Sequence, residues 1–213
     1  MDDPRFDGLG LGLATGASRR VVLKALGGGI GGGLLGLHAV SPAAAAPPTG
    51  PIQAAGYWGR NQVTWEQITR WDRHSRDACA EFGAPLRRVR AHIAMESGGN
   101  RWTVQRNPDN GDSYGLLQVV PRWWGDLIRE LSGSDAQGEA ELGQLLLDRP
   151  RLAVRCGVAV LRYYFDEYGS WAKASSGFFT GTPNWNGQDT VNGTTGAAYR
   201  DVLNRLIDEQ RAT

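Results

Sequence analysis

Apolar positions fall into a helical rhythm from Thr64 onward, and the elements follow from that rhythm. Thr64 with Gln67 three residues on has the form of a capping box, and Trp65, Ile68 and Trp71 share one face. The pattern predicts one helix from there to about Phe82-Gly83. Pro85 opens a second helix in which Leu86, Val89 and Ile93 recur at helical spacing and Glu96 continues their face; Gly98-Gly99 ends it. Pro121 opens a short helix with Trp123, Trp124 and Ile128, and Leu142, Leu145 and Leu146 mark another. Pro150 opens the longest, with Leu152, Val160, Tyr163 and Tyr164 in its apolar set. A helical piece starts at about Trp171, and the last helix carries Tyr199, Val202, Leu203, Leu206 and Ile207 on one face. Two polar stretches interrupt the series, Asn100 to Ser113 and Thr180 to Thr195. Loops that long within one domain are usually functional. With weak β alternation and no internal repeat, the expected class is mostly α, a compact helical domain carrying two long loops.

The segment before Thr64 reads differently. Ser18-Arg19-Arg20-Val21-Val22-Leu23-Lys24 holds a twin arginine, followed by a Gly-rich, mildly apolar stretch from Ala25 to Val40. Small residues, Ala43 to Ala46, then precede Pro47-Pro48. This has the form of a Tat-type export signal over residues 1–45, cut near Ala45. An uncleaved anchor is the alternative, but glycine breaks the apolar run that a spanning helix needs. Residues 46–62 form a Pro/Gly/Ala-rich linker, leaving 63–213 as the domain. The expected location is periplasmic, cell-wall or extracellular, with no stable membrane span once the signal is removed.

Charge excludes one class of partner. The chain has 23 basic and 22 acidic side chains. Removing Arg5, Arg19, Arg20 and Lys24 with Asp2, Asp3 and Asp7 leaves 19 of each in the mature part. No basic patch stands out, so nucleic acid is not an expected partner. The two cysteines, Cys79 and Cys156, both fall on predicted helices. Outside the cytoplasm such a pair is often bridged; two buried, unpaired thiols are the alternative.

Glu96 is the residue with the clearest chemical potential. A carboxylate at the end of an apolar helix face is costly unless it is paired or neutralised. A raised pKa is what a general acid needs at neutral pH, and the partial negative charge of a helix C-terminus pushes that way. A glutamate at the helix edge in solvent, or paired with an arginine, fits the same position.

The flanking residues break that tie. Ala91-His92-Ile93-Ala94-Met95-Glu96-Ser97-Gly98-Gly99-Asn100 is followed by Ser113-Tyr114-Gly115-Leu116-Leu117-Gln118-Val119-Val120-Pro121. The ordered pair closely resembles the goose-lysozyme-like (SLT-type) lytic transglycosylase family, with its helix-ending Glu-Ser and its Gly-Leu-Met/Leu-Gln, apolar pair and Pro. Arg155 to Tyr164 and Tyr168-Gly169-Ser170-Trp171 look like the family's later helix, so the resemblance covers roughly Arg88 to Gly181. It implies a lysozyme-like helical domain whose loops line a glycan cleft, acting as a monomer on peptidoglycan strands without cofactor or metal. It also implies a one-acid mechanism. Glu96 protonates the β-1,4 glycosidic oxygen between N-acetylmuramic acid and N-acetylglucosamine. The neighbouring N-acetyl group assists, and Glu96 then deprotonates the muramic C6 hydroxyl, giving a 1,6-anhydro product.

One motif departs from the family. Where it usually has Ala-Tyr-Asn-Ala-Gly, this chain has Gly177-Phe178-Phe179-Thr180-Gly181. Phe178 cannot offer Glu96 a hydroxyl, and Phe179 cannot offer sugar an amide. Tyr163 and Tyr114 are candidates to supply the hydroxyl. Further substrate contacts implied by the resemblance are Ser97, Gln118, Tyr114, Tyr163 and Phe178, with Trp185 as an exposed stacking platform. Ser97 can equally bond helix-end backbone, and Gln118 can equally satisfy loop backbone. Trp102, Trp123 and Trp124 lie near the same loops; Trp123 or Trp124 is expected in the core. His92, one turn before Glu96, is either a packed histidine or one that tunes the acid. Asp109 and Asp112 are the carboxylates that a hydrolytic muramidase would use to activate water, and otherwise are loop acids around an Asn110-Gly111 turn. Loss of the Tyr-Asn pair also fits a non-catalytic glycan-binding module.

Overall fold

The computed structural model describes residues 50, 52, 63–182, 188–191 and 193–211. The proposed export signal, nearly all of the linker and Trp185 lie outside the described residues. The described chain is mostly helical: α1 (Trp65–Thr69), α2 (Asp72–Phe82), α3 (Leu86–Glu96), α4 (Pro121–Ser132), α5 (Glu139–Asp148), α6 (Pro150–Tyr168), α7 (Trp171–Thr180) and α8 (Gly196–Glu209). No helix among them is long and apolar enough to cross a membrane.

Two helices organise the rest. α6, opened by Pro150 at its first turn and closed by Gly169 in the left-handed conformation, buries Leu152, Val154, Val158, Val160 and Leu161. α2, α4, α5 and α7 pack around it. α3 is enclosed on nearly all sides, with every residue from Val89 to Met95 buried. A charge inside such a helix must be paired. Arg90 meets this by gripping the Asp72 carboxylate with two guanidinium nitrogens, one at 2.8 Å.

Two expectations from the sequence change, and one question left open by it closes. The single helix from Thr64 to Phe82 is two, broken at Arg70-Trp71. The break coincides with a tertiary tie, because Arg70 and Trp71 both donate side-chain hydrogen bonds to the Gly99 carbonyl, at 2.6 and 2.9 Å. Its start is as expected, with the Thr64 amide donating to Gln67 Oε1 at 2.9 Å. Each long loop is closed by a short antiparallel ladder. In the first, β1 (Val104–Gln105) pairs with β2 (Ser113–Tyr114), Val104 opposite Tyr114; in the second, β3 (Thr190–Val191) pairs with β4 (Thr194–Thr195). Ladders two residues long carry no period-2 signal that a sequence could reveal. Finally, Cys79 and Cys156 are unbridged; Cys156 is buried and Cys79 half-buried. Desolvation pushes both thiols up to about 12.

Candidate active site

Glu96 is the last residue of α3 and is half-buried. The chain turns sharply behind it, with Gly98 and Gly99 both at positive φ. Only glycine fits at 99, where a Cβ would stand 2.3 Å from the Gln67 carbonyl oxygen. Ser97 clamps this turn. Its hydroxyl lies 3.2 Å from the Ile93 carbonyl and 2.9 Å from the Leu116 carbonyl, and it accepts the Gly99 amide at 3.2 Å. Buried and committed to backbone, Ser97 ties the end of the acid's helix to the Gly-Leu-Leu-Gln loop.

Gln118 holds that loop from within. It is the one non-glycine residue at positive φ among the described residues, at 46°. Such a conformation costs roughly 1–3 kcal/mol unless its surroundings fix it. Here the side chain does so: Nε2 donates to the Thr103 and Gly115 carbonyls at 3.0 and 2.8 Å, and Oε1 accepts from Ser113 at 2.8 Å. The amide placed by resemblance on the glycan is thus spent on loop backbone.

The hydroxyl that reaches Glu96 comes from Tyr199 on α8, 2.5 Å from Oε1. Tyr114 turns its hydroxyl to Asp112 at 3.5 Å, and the Tyr163 ring edge meets Trp124 at 5.3 Å. The Tyr199 oxygen also lies 2.9 Å from His92 Nδ1, and His92 Nε2 lies 3.0 Å from Ser175 Oγ on α7. Arg88 donates to that same Oγ at 2.9 Å. Arg88, His92 and Glu96 are spaced four apart, so they line one face of α3. His92 and Tyr199 are fully buried. Burial, then the Arg88 charge, holds the imidazole well below its usual pKa and so neutral. Burial, then the Glu96 charge, holds the phenol well above its usual value and so protonated.

Phe178 and Phe179 form the apolar wall of this chain of bonds. Phe178 meets the His92 ring edge-on at 4.9 Å, and Phe179 stacks on Tyr199 at 4.4 Å with planes 8° apart. α8 is fixed at both ends: the Ser176 hydroxyl bonds the Gly196 carbonyl at 3.0 Å, and Gln210 Nε2 bonds the Arg87 carbonyl at 2.9 Å. Tyr199 is the residue that sequence reasoning passed over, counted as one more apolar position of the last helix. The four-residue spacing of Arg88, His92 and Glu96 was the available hint that α3 needs a polar partner.

The remaining candidates are spread around the first loop. The Asp112 carboxylate accepts the Asn107 amide at 3.0 Å and pairs with Arg106. The backbone amide first, and Arg106 next, hold it below the usual carboxylate range. Asp109 is exposed, and its carbonyl accepts from Arg122 at 3.0 Å. Trp123 and Trp124 are half-buried and not core, with Trp123 Nε1 donating to the Asn110 carbonyl at 2.8 Å. Trp102 is 51% exposed beneath the Arg101 guanidinium. Among the described residues, no three His, Cys, Asp or Glu side chains are grouped to hold a metal ion. No protein-family model and no curated protein matches this sequence.

Proposed function

We propose that this protein is a peptidoglycan lytic transglycosylase with a lysozyme-like helical domain and Glu96 as its single acid/base. The observation that carries the proposal is the Tyr199 hydroxyl on Glu96 Oε1, backed by a buried neutral histidine. A glutamate that merely caps a surface helix needs no such support. Glu96 protonates the β-1,4 glycosidic oxygen between N-acetylmuramic acid and N-acetylglucosamine. The 2-N-acetyl group supports the oxocarbenium-like centre, and Glu96, now a carboxylate, takes the C6 hydroxyl proton as that oxygen closes on C1. The product is a 1,6-anhydro sugar, and no water is consumed. The Tyr199 bond replaces the hydroxyl that Phe178 cannot give. The state of Asp112 favours this outcome over hydrolysis, because a carboxylate stabilised by Arg106 and a backbone amide is a weak base for activating water. Export by the Tat-type signal belongs to the same proposal, since peptidoglycan lies outside the cytoplasmic membrane.

Digestion of purified peptidoglycan followed by mass spectrometry of the muropeptides tests it. Anhydro ends are the expected product, whereas reducing ends support a hydrolytic muramidase and no products a binding module. Glu96→Gln is expected to lower turnover by roughly 100-fold or more; full activity in that variant refutes the assignment.

A further inference from the structure

The bonds around His92 can run in only one direction when Glu96 is ionised. A carboxylate only accepts, so the single hydrogen of the Tyr199 hydroxyl points to Glu96 Oε1. The Tyr199 oxygen must then accept from His92, which places the imidazole hydrogen on Nδ1. The neutral ring has one hydrogen, so Nε2 is a bare acceptor facing Ser175 Oγ at 3.0 Å. The Ser175 hydrogen has two acceptors within reach, that nitrogen and the Trp171 carbonyl at 3.0 Å. The guanidinium of Arg88 donates to the serine oxygen in either case. A hydrogen on Nε2 instead would turn a Tyr199 lone pair toward the carboxylate 2.5 Å away.

We infer that His92 is a positioning residue, held as its Nδ1–H tautomer within a one-way donor chain from His92 through Tyr199 to Glu96 Oε1, with Ser175 and the Arg88 guanidinium behind the ring. With the same bond kept when Glu96 is an acid, Oε1 receives the Tyr199 hydrogen and the proton that Glu96 carries resides on its other oxygen, Oε2. A cation at one end and an anion at the other favour the same polarity in every link. The groups facing His92 are Arg88 and Glu96 from its own helix, Tyr199 from α8, and Ser175 with the apolar Phe178 from α7. The inference rests on the transglycosylase proposal for its catalytic consequence, but not for its chemistry.

Nitrogen-15 NMR of the imidazoles in the full chain tests it. The sequence has three histidines, and loss of one spin system in His92→Asn assigns the signals. The expected spectrum at neutral pH shows His92 with a protonated Nδ1 and a bare Nε2. Tyr199→Phe removes the acceptor for Nδ1, so His92 is expected to move its hydrogen to Nε2 and donate to Ser175. A wild-type His92 with its hydrogen on Nε2, or as imidazolium, overturns the inference whatever the activity. In turnover, His92→Phe is expected to lower kcat by roughly 10- to 100-fold with KM little changed. His92→Asn, which keeps an N–H near the Nδ1 position, should recover part of that loss. An unchanged kcat in a folded His92→Phe overturns the positioning role. Absence of any product from the wild type sinks the transglycosylase proposal and with it the catalytic consequence, while the tautomer still decides the direction of the chain.

Discussion

Replacing Tyr199 by Phe removes one oxygen from the junction between Glu96 and His92. The ring remains, and so does its stack on Phe179 at 4.4 Å, so no cavity opens. Two bonds disappear, one to Glu96 and one to His92. A hydrogen bond to a charged group contributes roughly 1.5–3 kcal/mol, but half-exposed Glu96 recovers much of this from water. His92 is fully buried, so one of its nitrogens keeps no partner, at a cost of roughly 1–3 kcal/mol. Together these predict a loss of about 2–3 kcal/mol in folding stability. For a domain of this size that lowers Tm by roughly 4–12 °C. On turnover, loss of the Tyr199 bond to Glu96 predicts a kcat reduced by roughly 10- to 100-fold with KM nearly constant. Urea unfolding and initial-rate digestion of peptidoglycan measure the two effects separately. A variant within about 0.5 kcal/mol of the parent refutes the buried bridge, because surface substitutions change stability by no more than that. A destabilised variant with unchanged kcat refutes its catalytic use.

Three further outcomes follow from the same contacts. His92 stays neutral in the fold but protonates in the unfolded chain below its ordinary pKa; the unfolded state therefore binds the extra proton, and stability falls as pH drops below about 6.5. The slope attributable to it is at most about 1.4 kcal/mol per pH unit, and the difference between wild type and His92→Asn in acid-titrated urea unfolding should isolate it. Gly99→Ala places a Cβ 2.3 Å from the Gln67 carbonyl at a φ of +78°, and a loss of roughly 2–4 kcal/mol is expected in the same assay. Since Cys79 and Cys156 are unbridged, a reductant should leave Tm unchanged, and both thiols should be found free by mass after denaturation and alkylation; a mass that shows a bridge contradicts the fold around α2 and α6.

The longer helices were legible because they have an apolar stripe and a proline or glycine at a boundary, as at Pro121, Pro150 and Gly169. The break at Arg70-Trp71 was not, because it coincides with a tie to the Gly99 carbonyl, which the Arg70 side chain reaches across 29 positions. The setting of Glu96 was legible from its neighbours: Glu96-Ser97 and Gly115-Leu116-Leu117-Gln118 mark one turn and one loop. Their partners were not. Ser97 and Gln118 look the same in sequence whether a hydroxyl or amide faces sugar or backbone, and only the bonds to Leu116, Thr103 and Gly115 distinguish the two. Tyr199 sits among Val202, Leu203 and Leu206, where an amphipathic ring counts as apolar until its hydroxyl is located.

The double fastening of α8 has a consequence for how the site comes into being. Glu96 and the Tyr199 phenol bonded to it are 103 positions apart, so synthesis completes α3 long before Tyr199 exists. Until α8 is held by Gly196 at one end and Gln210 at the other, Glu96 has its helix but lacks the Tyr199 hydrogen bond. On the proposed function, catalytic competence is thereby conferred late, by closure of the fold itself. A chain cut before α8 keeps both recognisable motifs and lacks the group that directs their acid.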